Sequence, residues 1–236
     1  MIWLLIAAGL GLLSLAHLAP FPFLLEAVAP APALWQMPPD EASPSIYLTF
    51  DDGPNPTATP ELLDVLARHG ASATFFLIDR HLNRETAPIV RRMFAEGHAV
   101  GLHSHTRALM LMTPTRLAGT LTAAAARIER LAGSRPCKAF RPHAGARSVQ
   151  MFAGLAAIDH VLVGWGWSLW DFNWYRRPDP AGLAERLAGR VSDGSIIVMH
   201  DGHHEDPAAD RRYAVEAVDL LIPRVRARGL GFGTIC

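Results

Sequence analysis

The alternation of short apolar runs with longer amphipathic stretches constrains the fold of this 236-residue chain most. Each apolar run is typical of a buried strand. Seven such runs occur: Ser45–Phe50, Ala73–Ile78, Ala99–His103, Ala139–Arg141, His160–Gly164, Ser195–His200 and Phe232–Ile235. Because helical patterns separate the runs, we expect parallel strands, in an open doubly wound sheet or in a closed or partly closed barrel. The sequence therefore predicts one α/β domain.

Helix boundaries support this alternation. Gly70 and Gly133 follow the helical patterns Glu61–His69 and Thr115–Ala132, where each glycine suits the left-handed residue just past a helix. At three predicted helix starts, a capping side chain precedes a proline at the first helical position. These starts are Thr59-Pro60, Thr113-Pro114 and Asp179-Pro180.

The N-terminus differs from the rest of the chain. No side chain from Ile2 to Leu25 carries a formal charge, and the first basic residue is Arg68. The apolar run Ile2–Ala16 is shorter than the ~20 residues of a spanning helix, although it can extend to residue 19. We expect residues 1–34 to be a membrane anchor or signal peptide, with membrane association through residues 2–19, or else a helix buried against the domain. Residues 35–44 then form a linker, and residues 45–236 form the domain.

Charge and cysteine content exclude two classes of protein. The 22 basic and 22 acidic side chains cancel, so the chain lacks the basic surplus with which proteins bind nucleic acid. Two cysteines, Cys137 and Cys236, are too few for a disulfide framework or a cysteine-rich zinc site. They form either one bridge or two free thiols.

Chemically active side chains gather at the carboxyl ends of the predicted strands. They are Asp51-Asp52, His103, Arg141 and His200-Asp201. In a parallel α/β fold these strand ends form the edge at which ligands bind. Adjacent carboxylates at a strand end point in different directions, so that one can hold a metal while its neighbour accepts a proton. Taken alone, the Asp-Asp-Gly-Pro run is more typical of a turn than of a catalytic site.

The hexapeptide Thr49-Phe50-Asp51-Asp52-Gly53-Pro54 resembles the first signature of the polysaccharide deacetylases, the NodB-homology group of carbohydrate esterases. Three further stretches resemble this family in the expected order. They are Phe140-Arg141-Pro142 with Gly145, Trp167-Ser168 through Trp174, and Gly194 through Asp201.

The resemblance covers about residues 45–236 and implies a distorted, incomplete (β/α)7-type barrel. It also implies a bound divalent metal, with zinc the expected ion, and hydrolytic removal of N-acetyl or other N-acyl groups. The implied substrates are N-acetylated glycans of chitin, peptidoglycan or surface polysaccharide, or a lipid-linked amino sugar.

The same resemblance assigns roles to individual positions. It implies that Asp51 is the general base that deprotonates the attacking water and that Arg141 pairs with it. His200 would be the general acid that protonates the leaving amine. Asp52 and His103 would bind the metal, which polarises the amide carbonyl.

The second signature departs from the family pattern. The family places two metal-binding histidines four residues apart, but His103 is followed at that spacing by Arg107, whose guanidinium cannot ligate a cation. His105 is nearest in sequence and completes the predicted ligand set, although on a helix it would face another direction. His143, His203 and His204 are alternatives, as is a site that binds metal weakly or not at all. Arg107 itself is a candidate contact for an anionic part of the substrate.

The fourth signature is displaced by one residue. Counted from Trp167, the aspartate that orients the acid histidine would fall at Trp170, and Asp171 is the next residue. On an extended strand this shift would turn the side chain to the opposite face. Asp171 is nevertheless the candidate for this role. Trp167 and Trp170 are candidates for stacking on sugar faces, with packing in the core as the alternative.

Two functional hypotheses follow. One is a metal-assisted hydrolase that deacylates amino sugars at the cell envelope, membrane-anchored or secreted on the extracytoplasmic face. The other is a catalytically impaired protein of the same fold that binds glycan or a membrane partner. The presence of both Asp51 and His200 favours the enzyme.

Overall fold

The computed structural model describes residues 2–9, 33–168, 171 and 179–236. Its described strands form a nine-stranded sheet in the order β1–β6–β5–β4–β3–β2–β8–β7, with β9 paired to β2, and all pairs between these strands are parallel. The strands are β1 (Ala33–Leu34), β2 (Ser45–Gly53), β3 (Ala73–Ile78), β4 (Ala99–His103), β5 (Ala139–Arg141), β6 (Val161–Val163), β7 (Trp167–Ser168), β8 (Ile196–His200) and β9 (Gly231–Phe232).

Helices follow most of the strands along the chain. They are α1 (Ala58–His69), α2 (Ala87–Ala95), α3 (Pro114–Ala132), α4 (Val149–Ala156), α5 (Pro180–Ala188) and α6 (Arg212–Arg226). Three short 3₁₀ helices, Asp79–His81, Arg107–Leu111 and His143–Gly145, lie just after β3, β4 and β5. The predicted α/β fold, an incomplete barrel with a curled parallel sheet, is confirmed.

Apolar side chains on both faces of the central strands hold the sheet in place. Every residue of β3 is buried, as expected for a parallel strand covered on both sides. Phe50 of β2 stacks on Phe75 of β3, with 5.2 Å between the ring centroids. Because the middle of the sheet is apolar, its polar residues are concentrated at the carboxyl ends of the strands.

The helix boundaries agree with the sequence at four of five positions. Thr113 and Asp179 accept hydrogen bonds from the backbone amides of Arg116 and Gly182, and Gly70 and Gly133 are left-handed. The prediction for Thr59 was wrong, because α1 begins at Ala58. Asn55 Oδ1 accepts the amides of Thr57 and Ala58 instead, at 2.9 and 3.0 Å. Thr59 is thereby free to donate its hydroxyl hydrogen to Asp201.

The N-terminal segment is described only in part. Residues 2–9 are helical and exposed, whereas residues 10–32 of the predicted anchor or signal peptide lie outside the described residues. Within the described ranges, no helix combines the length and the apolarity needed to cross a bilayer. Ala33 and Leu34 pair with β6, and the Met37 amide donates to Gly194 O at 2.9 Å. The start of the predicted linker is therefore attached to the sheet, and the division at residues 34 and 44 stays a prediction.

The two cysteines are joined. Cys137, just before β5, forms a disulfide with Cys236 across 99 residues of chain. The amide of Ile235, beside Cys236, also donates to Thr74 Oγ1 at 2.9 Å. The C-terminus is thus fastened to the centre of the sheet at two points.

We expect the Cys137→Ser/Cys236→Ser double variant to lose about 3–5 kcal/mol of unfolding free energy, because the bond closes a loop of about 100 residues in the unfolded chain. Urea unfolding of the oxidised wild type and the double variant measures the difference. Coincident unfolding midpoints would show that the bond contributes no stability.

Candidate active site and metal centre

Asp51 and Arg141 form a buried ion pair at the carboxyl edge of the sheet. Arg141 Nη1 donates to Asp51 Oδ1 at 2.8 Å and to Thr49 Oγ1 at 2.6 Å, and the arginine side chain is fully buried. Its other donors reach the carbonyls of Val163 and Gly164. Burial lowers the pKa of Arg141, and the Asp51 carboxylate opposes this effect. The contact predicted between these two residues is present, and it fixes the direction of the Asp51 carboxylate.

Asp52 turns away from Asp51 because its backbone is left-handed, with φ of +69°. Few residues other than glycine adopt this conformation, so the surrounding structure must hold it. His81 Nδ1 donates to the Asp52 carbonyl at 3.2 Å. Gly202 lies against the same carbonyl, where a Cβ would come within 2.2 Å. This backbone sends the two adjacent carboxylates to different partners.

Three candidate metal ligands lie close together, and the Asp52 carboxylate is one of them. Asp52, His103 and His143 each offer a ligand atom, and these atoms lie within 4.8 Å of one another. His103 Nε2 is 3.3 Å from Asp52 Oδ1. Burial alone would raise the pKa of Asp52, but His103, with His200 and His143, lowers it well below its ordinary range. Burial, with the nearby His103, lowers the pKa of His143 to about 4. At neutral pH the cluster therefore holds a carboxylate and an unprotonated His143 imidazole.

His200 and Asp171 form a second pair, in which the aspartate is buried and the histidine is partly buried. His200 Nδ1 is 2.9 Å from Asp171 Oδ1, and the His200 amide donates to Asp171 Oδ2 at 2.6 Å. Burial alone would lower the pKa of His200, but the Asp171 carboxylate, assisted by Asp52 and Asp51, raises it to about 9. His200 therefore carries a proton at neutral pH.

Asp171 reaches His200 because it lies in a turn after β7 rather than within a strand. The alternation of side chains along a strand therefore does not apply to it, and the displaced aspartate still faces the histidine. Its carbonyl accepts hydrogen bonds from Arg211 Nη1 and the Tyr213 hydroxyl. Arg211 Nε also donates to Gly202 O at 2.7 Å. Arg211 and Tyr213 thus hold the Asp171 backbone in place.

The structure does not bring His105 into the ligand cluster. His105 lines a separate pocket of about 670 Å³ together with Arg80, His81, Thr106, Glu205 and Pro207. The reason is local geometry, because the chain from His103 to Arg107 passes from a strand end through a bend into a 3₁₀ helix. Arg107 is exposed, and its charge contributes to the lowered pKa of His143.

Of the two candidate sugar-binding tryptophans, the structure describes Trp167, which lies away from this cluster. Trp167 pairs in register with Ile197, three residues before His200, which corresponds to about 10 Å along the strand. Its ring faces the guanidinium of Arg190, 5.7 Å away. Trp170 lies outside the described residues, so its predicted contact with substrate stays a prediction.

Three residues that support the site were not singled out from the sequence: His81, Arg211 and Tyr213. Thr59 was expected only as a helix cap, and Asp201 was noted beside His200 without a role. Asp201 is buried against Gly53, and burial raises its pKa to about 7. Arg211 and Tyr213 support the site by hydrogen bonding to the Asp171 carbonyl, and no local sequence pattern predicts such contacts.

Comparison with known proteins places these features in a family. Residues 39–163 match the family model described as polysaccharide deacetylase. The chain belongs to the polysaccharide deacetylase family. It is 35% identical over 202 residues to a chitooligosaccharide deacetylase of Sinorhizobium fredii, covering 79% of this chain and 88% of that protein.

Solved structures of polysaccharide deacetylase relatives share the fold. A peptidoglycan N-acetylglucosamine deacetylase, Bc1960, superposes with a TM-score of 0.74 at 26% identity, covering 89% of this chain and 94% of that one. A family 4 acetyl xylan esterase from Clostridium thermocellum, in complex with a cobalt ion, superposes with a TM-score of 0.70 at 32% identity, covering 80% and 87%. Family membership and fold therefore agree with the residues assembled at the carboxyl edge.

Proposed function

We propose that this protein is a metal-assisted hydrolase that removes N-acetyl groups from amino-sugar-containing glycans. The main support is that three features lie at one edge of the sheet: the Asp51 carboxylate paired with Arg141, the protonated His200 paired with Asp171, and a cluster of candidate metal ligands. Amide hydrolysis needs a proton acceptor, a proton donor and a stabiliser of negative charge on oxygen. A glycan-binding protein would need none of these three in that arrangement.

The residues at Asp52 fit a divalent metal. Asp52 Oδ1 is buried and makes no hydrogen bond to the described residues, which is costly unless a cation satisfies it. One carboxylate and imidazole nitrogens form a donor set that suits zinc, the expected ion. Asp52 and His103 would hold the metal together with a third ligand. When bound, it supplies a Lewis acid that polarises the amide carbonyl and acidifies water.

Asp51 is proposed to take the proton from the attacking water. Its Oδ1 is held by Arg141 at 2.8 Å, so the second carboxylate oxygen is left to face the reacting water. The ion pair with the Arg141 guanidinium fixes the direction of this carboxylate. Because Arg141 is bonded to Thr49 and two backbone carbonyls, it cannot swing away during the reaction.

His200 is proposed to donate its proton to the leaving amine nitrogen. Asp171 occupies the Nδ1 side, which directs the Nε2–H toward the reacting group. Its pKa of about 9 keeps the proton available at neutral pH. Asp171 thus orients the imidazole and keeps it charged without itself contacting the substrate.

The substrate is proposed to be an N-acetylated glycan of the cell envelope. The relatives described above are named as deacetylases of chitooligosaccharide and of peptidoglycan N-acetylglucosamine, which supports an N-acetylglucosamine unit at the reacting position. A lipid-linked amino sugar presents the same amide and is the alternative substrate form. Arg107 is exposed beside the cluster, where it could contact an anionic group of the substrate.

The site of action is proposed to be extracytoplasmic. The disulfide between Cys137 and Cys236 supports this location, because such bonds form and persist in oxidising compartments. The side chains of residues 2–6 are apolar and exposed, which supports a role of the N-terminal segment as an anchor or signal peptide.

Acetate release from N-acetylated chito-oligosaccharides tests the proposed function. The zinc-loaded protein should release acetate from these oligosaccharides, and O-acetylated xylan serves as a control for ester cleavage. If the protein releases acetate from xylan but not from chito-oligosaccharides or peptidoglycan, it is an esterase rather than the proposed N-deacetylase. No activity on any of the three would contradict the proposal.

A further inference from the structure

We propose that His143 supplies the third metal ligand, in place of the histidine that the family's second signature would put at position 107. This inference rests on the proposed function in so far as that function requires a metal. It moves one ligand from the turn after β4 to the loop after β5. The metal centre would then be built at the carboxyl ends of three strands, β2, β4 and β5, rather than two.

The geometry of the cluster carries this inference. Asp52, His103 and His143 form a group whose ligand atoms all lie within 4.8 Å of one another. The rings of His103 and His143 are 6.1 Å apart and inclined by 59°, so they do not stack and each can direct a nitrogen to a common point. Asp52 Oδ1, at 3.3 Å from His103 Nε2, lacks a hydrogen bond to the described residues. A cation between these acceptors would satisfy the buried oxygen.

The backbone holds His143 in this position. Its amide donates to Ser104 Oγ at 2.9 Å, and Ser104 directly follows His103. The loops that bear the two histidines are therefore fastened to each other. Ala144 and Gly145 have φ of +52° and +69°, which folds the chain back immediately after His143. Gly145 also lies against the Trp165 ring, where a Cβ would come within 3.0 Å.

The other candidate ligands are placed less well. His105 lines the neighbouring pocket. Nδ1 of His203 already accepts the amides of Glu205 and Asp206, both at 3.2 Å. The ring of His204 packs against His143 at 4.6 Å but lies outside the ligand group. Among the described residues, His143 alone joins Asp52 and His103 in that group.

Zinc affinity of the full chain, measured by competition with a chromophoric chelator, tests this assignment. His143→Ala and His143→Asn should each weaken zinc binding by about 10²-fold or more, since removal even of an outer partner of a ligand typically costs 10–100-fold. His105→Ala is the matched control, because it removes a neighbouring half-buried histidine, and it should change the affinity by less than about threefold. The absorption of bound Co²⁺ should also change in the His143 variants, because the number of nitrogen ligands falls.

The outcomes separate the ligand assignment from the proposed function. If wild type binds zinc and Asp52→Asn abolishes binding, but both His143 variants bind as tightly as wild type, His143 is not a ligand and the metal site stands. If His105→Ala weakens binding instead, the third ligand is His105. If wild type binds no zinc, both the inference and the metal-assisted function fail. Circular dichroism of the metal-free His143 variants shows whether they are folded, and the asparagine variant keeps the loop polar should the alanine variant unfold.

Discussion

Asp51→Asn is expected to lower kcat for deacetylation by on the order of 10³-fold. Asparagine keeps an oxygen for Arg141 but cannot accept a proton from water, so the general base is lost while most of the geometry stays. Zinc affinity should remain within about threefold of the wild-type value, because the proposed ligands are on Asp52, His103 and His143.

Two controls make the Asp51 result interpretable. Because the substitution leaves the buried Arg141 charge without a carboxylate, some loss of stability is expected, and urea unfolding must show that the variant is folded under assay conditions. Asp159→Asn is the matched substitution, since Asp159 is exposed, lies before the amino end of β6 whereas the site lies at the carboxyl ends of the strands, and has a φ of +54° that asparagine also tolerates. It should keep wild-type activity. An Asp51→Asn enzyme with more than about a tenth of wild-type kcat would contradict the assignment of the base.

His200→Ala is expected to lower kcat by about 10²–10³-fold and to remove the alkaline limb of the pH profile. The acid must carry its proton to act, so the wild-type rate should fall as the pH rises through the pKa of His200, which is about 9. A bound cation nearby would lower that value, so the limb is expected at or below pH 9.

Asp171→Asn separates the orienting role from proton donation. Since the Asp171 carboxylate is the main group that raises the pKa of His200, its loss should move the alkaline limb down by about 1–3 pH units. The variant should keep more activity at pH 6 than at pH 8. If kcat falls equally at every pH, Asp171 has only a structural role.

If His200→Ala keeps the wild-type pH profile, another group is the acid.

Much of the fold could be predicted because it depends on local pattern. The β3 and β4 strands coincide with their predicted bounds, since each is a continuous apolar run. By contrast, β1 and β7 have two residues each and exist only through pairing with distant strands. The extension of β2 through Gly53 was also missed, and the helix expected between β3 and β4, which is α2, was given no bounds. Short, edge-located or polar segments carry too little periodicity to be recognised.

The site, like the fold, could be predicted only in part from the sequence. The contact of Asp51 with Arg141 and that of His200 with Asp171 were expected from motifs at strand ends, and both are present. The proposed third ligand, His143, was only one of several alternatives, because it replaces a residue of one motif while the deviation lies in another. Only the parallel pairing of β4 with β5 brings the two positions together. The spacing of residues along the chain does not predict such a contact.

Metal removal and reconstitution test the proposed mechanism most directly. Acetate release from N-acetylated chito-oligosaccharides is measured on the purified protein, after stripping with a chelator, and after addition of one equivalent of zinc. The proposed mechanism predicts that stripping abolishes activity and that zinc restores it in wild type but not in Asp52→Asn. Undiminished acetate release from fully stripped protein would contradict a metal-assisted reaction at this site.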